Sequence, residues 1–151
     1  MTTVLNHILS NRRKKKDCVA FAFIDLKKAY DSVNRSVLID ILRKRCRSEE
    51  EVFMVDLIAE LYCGTSFVYG SKEIKVRRGV VQGGILSPFL FNVYLEEALQ
   101  SSPKLKEYIE REQLLAFADD LLLMAKDPEE LDSMIAELEN LQEIFGLVLN
   151  R

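Results

Sequence analysis

The sequence is poor in the residues on which much enzyme chemistry relies. Histidine occurs once, at His7, which leaves a Ser-His-Asp triad or a zinc site of mixed Cys and His ligands a poor match. Cys18, Cys46 and Cys63 are odd in number, far apart and never in a Cys-x-x-Cys spacing, a pattern that suits reduced intracellular thiols better than disulfides or zinc. The longest apolar run, Cys18 to Ile24, is seven residues, whereas a membrane-spanning helix needs roughly 20. Met1 is followed by polar residues, not by a charged segment and an apolar core, so no secretory signal is visible. These traits predict an intracellular chain with no membrane partner, the choice between nucleus and cytoplasm staying open. Neither an internal repeat nor a flexible linker is present. Any catalysis must lean on carboxylates.

What is there is an ordinary globular balance. With 151 residues, 48% hydrophobic and 30% charged, the chain suits one domain with a real core. Net charge is −3, but it is unevenly spread: residues 1–47 hold 12 Lys/Arg against 4 Asp/Glu, and residues 96–143 hold 4 against 14. An overall acidic chain is an unusual nucleic-acid binder, yet basic patches supply phosphate contacts while acids supply metal ligands.

Val4, Leu5, Ile8 and Leu9 recur at helical spacing and lead into Arg12-Arg13-Lys14-Lys15-Lys16, either a solvated helix end or a phosphate-contacting patch. Cys18 to Ile24 reads as a strand buried on both faces, ending in Asp25. Val37, Leu38, Ile41, Leu42 and Cys46 mark a second helix, and Ser48-Glu49-Glu50-Glu51 is a capping box that opens a third, running to about Tyr62 and stopped by Gly64. Residues 66–69 and 73–77 flank Gly70-Ser71 as a hairpin. Ser87-Pro88 supplies an N-cap and a first-turn proline for a helix through Leu99, with Pro103 beyond its end. Residues 114–118 and 121–125 form a tight hairpin with Asp119-Asp120 at its tip. Asp127-Pro128 opens a last helix that Gly146 closes, and residues 147–149 start another strand. The order predicts an α+β fold, a sheet with helices packed against it.

Asp25, Asp119 and Asp120 fall where carboxylates are costly to bury. If their strands are neighbours, the three converge on one patch, and such crowding is unfavourable unless cations neutralise it. Oxygen-only ligands select a hard divalent ion, Mg²⁺, with Mn²⁺ as a substitute. Two such ions about 4 Å apart activate a hydroxyl and stabilise a leaving phosphate oxygen. The plainer account also holds at this point: Asp-Asp is a common turn pair, and Asp25 alone could be a strand-ending cap.

The surrounding strings resemble a known family. Phe23-Ile24-Asp25-Leu26-Lys27-Lys28-Ala29-Tyr30-Asp31-Ser32-Val33 is similar to motif A of reverse transcriptases, Gln82-Gly83-Gly84-Ile85-Leu86-Ser87-Pro88-Phe89-Leu90-Phe91-Asn92 to motif B, and Phe117-Ala118-Asp119-Asp120 to motif C. The blocks stand in family order, 57 residues from Asp25 to Gln82 and 37 from Gln82 to Asp119. Their flavour is that of non-LTR retrotransposons and group II introns. The resemblance implies a polymerase palm, an antiparallel sheet with helices on one face. It also implies RNA-directed DNA polymerase activity with RNA template, DNA primer and dNTP as partners.

Carried over residue by residue, the resemblance makes Asp25, Asp119 and Asp120 the catalytic metal ligands, Asp25 and Asp119 bridging two ions. Tyr30 would sit beneath the incoming sugar and exclude a 2′-hydroxyl. Gln82 and Gly83 would contact the nucleotide, and Leu26, Lys27, Lys28 and Ala29 would present backbone amides to the triphosphate. Arg77-Arg78 would touch nucleic-acid phosphate or be ordinary hairpin charges.

The departures are equally specific. Phe117 stands where the familiar form of motif C has tyrosine, keeping the ring and losing the hydroxyl. Little precedes motif A, and the strand start at Gly146-Leu147-Val148-Leu149-Asn150 resembles the approach to motif D. Residues 1–151 therefore read as a palm-centred piece with partial fingers and no thumb, weak or inactive alone, of a longer polyprotein. Two rivals stand: a decayed or domesticated domain that binds protein or RNA without catalysis, and an RNA-dependent RNA polymerase, which the aromatic Tyr30 and the Gln82–Pro88 block disfavour.

Overall fold

The computed structural model describes residues 20–150. His7, Cys18, the helix expected around residues 4–9 and the basic cluster at 12–16 lie outside them. Within them, β1 (Ala20–Leu26) is followed by a short α1 (Ala29–Ser32), then α2 (Arg35–Arg45), α3 (Glu49–Cys63) and the hairpin β2 (Ser66–Tyr69) and β3 (Lys72–Lys75). Helices α4 (Ser87–Ser101) and α5 (Pro103–Glu110) come next. They are followed by β4 (Leu114–Phe117), β5 (Asp120–Ala125), α6 (Pro128–Glu139), α7 (Leu141–Phe145) and β6 (Leu149–Asn150).

Two antiparallel sheets result: a four-stranded one in the order β4-β5-β1-β6, and the β2-β3 ribbon. Alternation along β1 decides which way the large sheet faces. Ile24 and Leu26 are buried with Leu121 and Leu123 of β5 and with Met134 and Leu138 of α6, so the helices cover this side. Phe21, Phe23 and Asp25 point the other way, and Phe23 is 78% exposed. The expectation of a strand buried on both faces is thus corrected: an antiparallel sheet needs one covered face, and the aromatic residues of β1 occupy the open one.

Local chemistry explains the helix boundaries. Asn34 caps α2, its side chain accepting from the amides of Ser36 and Val37. Ser48 caps α3 by accepting from Glu51 N–H, but the Glu51 carboxylate reaches past it to the Arg47 amide at 2.5 Å. Ser87 is not the cap of α4. It is the first helical residue, buried, and its hydroxyl donates to the Val81 carbonyl, so it stabilises the preceding turn instead. Pro103 lies beyond the end of α4, as expected, and opens α5 behind a Ser102 cap, the first-turn position where its missing N–H costs nothing. The last helix breaks at Asn140 into α6 and α7, and Gly146 ends α7 in the left-handed region at φ 70°.

Helix α4 is the axis of the core: Leu90, Phe91, Tyr94 and Ala98 have no exposed surface. Each large side chain so buried contributes about 1.5–3 kcal/mol. Tyr94 also carries a polar link, donating its hydroxyl to the Phe145 carbonyl at 2.7 Å and accepting from Asn34 N–H at 3.2 Å. Burial raises the pKa of its phenol, which keeps that donor proton in place.

The segment after β3 is strapped across α1. Gly79 N–H donates to Val33 C=O at 2.8 Å and Val80 N–H to Tyr30 C=O at 2.9 Å, beside a bridge between Asn34 and Arg78. Contact is close enough to require glycine. Gly79 sits at φ 87°, and a Cβ there would lie 3.1 Å from Asp31 Cα and 3.3 Å from the Tyr30 carbonyl oxygen. Gly83 has a similar φ of 81° but faces open space. Gly83→Ala should therefore cost about 1–2 kcal/mol for its backbone conformation alone, and Gly79→Ala more, because backbone must also move. Urea unfolding of both variants checks the order; equal losses would show that the strap tolerates a methyl group.

Candidate active site

The register of the large sheet assembles a row across all four strands. Phe117 of β4 pairs with Asp120 of β5, Asp120 with Asp25 of β1, and Asp25 with Asn150 of β6. Directly opposed residues share a face, with Cβ atoms about 4.5–5.5 Å apart. All four are exposed on the side that the helices leave open. One oxygen of Asp25, Oδ2, accepts from Asn150 Nδ2 at 3.0 Å, which fixes the carboxylate.

Asp119 arrives differently. The turn between β4 and β5 is Ala118-Asp119, so Asp120 is not at the tip but opens β5. Ala118 takes the left-handed conformation at φ 53°, an unfavourable one for alanine. The Asp119 carbonyl accepts from Leu26 N–H at 3.3 Å, which ties the turn to β1 one residue past Asp25. Asp119 itself is half-buried. The structure thus pairs Asp25 with Asp120 in register and holds Asp119 beside them by its backbone. Among the described residues, no group of three or more Asp, Glu, Cys or His side chains is gathered into a metal-holding cluster. By donor type, the exposed carboxylates suit a hard divalent ion.

Beyond Asp25 the chain turns away from the sheet. Leu26 is buried, and its amide is engaged by Asp119, while Lys27 N–H donates to Val148 C=O at 2.8 Å. Two of the amides expected to face a triphosphate are therefore used inside the fold. Lys28 is exposed and left-handed at φ 51°, reversing the chain into α1, and Ala29 is buried. Tyr30 is half-buried, its ring stacked on Phe91 of α4 with centroids 5.0 Å apart and planes 20° from parallel. The ring is thus held in place by the core.

Gln82 lies in the glycine-flanked turn before α4 and is exposed, its Nε2 donating to Asp31 Oδ1 at 3.1 Å. Gly84 admits the Ser87 hydroxyl, which a Cβ at 84 would approach to 2.9 Å. Arg77 and Arg78 are both exposed.

Sequence reasoning missed Asp31, Asn150 and Arg35. Arg35 Nε donates to Gly79 C=O at 2.8 Å, and Nη1 to Tyr62 C=O at 2.5 Å, Thr65 Oγ1 at 2.6 Å and Val76 C=O at 2.8 Å. Its guanidinium thereby joins α2 to the end of α3, to the segment after β3 and to the strap behind Gln82. One signal was legible: an arginine at the first position of a helix is disfavoured by the dipole and needs another reason to be there.

Comparison with known proteins places this arrangement. Residues 2–151 match the family model described as reverse transcriptase (RNA-dependent DNA polymerase). The Pol polyprotein of the type-1 retrotransposable element R2 of Popillia japonica is 33% identical over 97% of this chain and 22% of its own length. That of Nasonia vitripennis is 32% identical over 94% of this chain and 14% of its own length, and the type-2 element R2DM polyprotein of Drosophila melanogaster is 31% identical over 98% and 14%. The chain spans less than a quarter of these relatives. A structure of apo telomerase from Candida tropicalis, truncated from its C-terminal domain, superposes with a TM-score of 0.68 at 19% identity, over 99% of this chain and 34% of that one. The fold is therefore that of a polymerase palm. Among the described residues no helix is long and apolar enough to cross a membrane. Matched over nearly its whole length, and with Asp25 and Asp120 paired at one end of the inner strands of a palm sheet, the chain belongs to the reverse transcriptase family.

Proposed function

We propose that this chain carries the nucleotidyl-transfer centre of an RNA-directed DNA polymerase of a retroelement, working inside the cell on an RNA template, a DNA primer and deoxynucleoside triphosphates. The observation that supports it most is the pairing of Asp25 with Asp120 beside the anchored Asp119. Folding gains nothing from facing two carboxylates across a strand pair. A site for cations does.

Divalent metals are general to the family; here Asp25, Asp119 and Asp120 would hold two Mg²⁺ ions, or Mn²⁺ in their place. When bound, such ions lower the pKa of a primer 3′-hydroxyl and stabilise the charge on a leaving pyrophosphate. The chain's own residues bind and orient. Asn150 donates to Oδ2 of the Asp25 carboxylate, which leaves Oδ1 for a cation. Tyr30, stacked on Phe91, offers a rigid floor against which a 2′-hydroxyl would clash, which favours deoxynucleotides. Gln82 and Gly83 contact the nucleotide, and Lys27 and Lys28 offer exposed ammonium groups to its triphosphate. The primer 3′-hydroxyl attacks the α-phosphate, one P–O bond forms as another breaks, and pyrophosphate leaves. Fingers and thumb regions of a longer polyprotein would complete the grip on the duplex.

The test is primer extension on an RNA template by a longer polymerase that carries this chain with its fingers and thumb. Asp25→Ala and Asp119→Ala should each lower the rate by more than about a thousandfold, roughly 4 kcal/mol of barrier, with the melting temperature unchanged or raised because a repulsion is removed. Near-wild-type extension by either variant would refute the assignment. Tyr30→Ala should narrow the preference for dNTP over rNTP by about tenfold or more; an unaltered preference would remove Tyr30 from the sugar contact.

A further inference from the structure

Asp31 has no part in the motif chemistry described above, yet it is where two motifs meet. It stands on α1 directly after Tyr30, exposed, and its Oδ1 receives the Gln82 amide from the turn before α4, 51 residues further along. The approach is built from both sides. Gly79 lies against the Asp31 backbone where a Cβ would be crowded, at 3.1 Å from Asp31 Cα, and the amides of Gly79 and Val80 bond to the carbonyls of Val33 and Tyr30. The Gln82 side chain is thus delivered to Asp31 by backbone that cannot easily shift.

The chemistry of the pair determines which way the amide points. A carboxylate only accepts hydrogen bonds, so the NH₂ end of Gln82 must face it. That leaves Oε1, an acceptor, at the free end. We propose that Asp31 is a positioning residue for Gln82: it fixes the amide with its carbonyl oxygen outward, so that Gln82 meets the nucleotide as an acceptor and reads a hydroxyl or amino donor on it. The inference rests on the reading that Gln82 contacts nucleotide.

Without Asp31 the amide is free to rotate, and half of its orientations present NH₂ to a ligand that itself donates. Binding then pays for ordering the side chain. The loss should fall on nucleotide binding, not on the chemical step, and it should vanish when Gln82 is absent.

Two measurements decide it. In the nitrogen-labelled 151-residue chain, the Gln82 side-chain NH₂ should show one proton shifted and slowed in exchange by the carboxylate. Asp31→Ala should return it to the position of a free amide while the rest of the spectrum is retained. A Gln82 amide that already resembles a free one in the unaltered chain would overturn the clamp. In the longer polymerase, Asp31→Ala should raise KM for dNTP about tenfold with kcat within about twofold, and Asp31→Asn, which no longer demands a donor, should lie between. In a Gln82→Ala background, Asp31→Ala should change KM by less than about twofold, since neighbours that act as one unit are not additive. The same increase in both backgrounds, an unchanged KM in the first, or a fall in kcat alone would each show that Asp31 does not act through Gln82. Asp25→Ala reads the function separately: if that variant extends primers, or if the unaltered polymerase does not, the reading of the site fails and the ligand of Gln82 with it.

Discussion

Two carboxylates directly opposed on neighbouring strands repel each other, and this sheet has such a pair at the end of β1. Like charges in register destabilise a strand pair, and they do so here at Asp25 and Asp120 without a cation on an adjoining described strand to offset them. Exposure to water limits the cost. So does Asn150, whose amide donates to Asp25. The remainder falls to the opposite face of the same strands, where Ile24 and Leu26 lie with Leu121 and Leu123 against α6. Leu122 and Met124 are buried on the other side as well, so only its end, at Asp25 and Asp120, holds an arrangement that folding alone would not produce.

A second requirement is that residues far apart in sequence keep fixed positions relative to that pair, because misplacement by an ångström costs orders of magnitude in rate. Three links meet it. Tyr94 joins the cap of α2 to the end of α7, Arg35 joins α2 to the ends of α3 and β3 and to Gly79, and the Gly79–Val80 strap joins α1 to the turn carrying Gln82. Only the strap bonds to α1, the four-residue helix that carries Tyr30 and Asp31, while the other two links act beside it, at Asn34 and Gly79. So short a helix has almost no stability of its own. Its position is set by Phe91 behind it and by these links around it, and the site inherits their rigidity.

How much of this was legible in the sequence differs by the range of the interaction. Asp25, Asp119 and Asp120 could be singled out because motif and local pattern coincide, and their strands were legible from apolar runs. The burial of β1 was misjudged because phenylalanine reads as core from composition, whereas Phe23 is 78% exposed. Ser87 was misplaced because a serine followed by proline fits a cap equally well one residue earlier or later, whereas Pro103 lies beyond the end of α4 as expected and its role in opening α5 went unread. Asp31, Arg35 and Asn150 were out of reach for a different reason. Their roles depend on partners 125 residues away for Asn150 and 51 for Asp31. No periodicity within a window reports such a pairing.

The open face shows most directly what the fold leaves for other molecules. Phe23 and Asp25 point the same way on β1, and Phe117 stands across Asp120 in the acidic row, 60% exposed. Phenylalanine left in water forfeits burial that the helical side of the sheet could have supplied, and large exposed apolar surfaces on soluble domains mark contact sites. Rings beside carboxylates are a poor surface for a charged protein partner and a good one for a ligand with both flat apolar groups and cation-bridged phosphates. A primer strand has both. Under the function proposed above, the same face that is costly for the isolated chain through charge repulsion and exposed rings would become favourable once cations and nucleic acid lay against it.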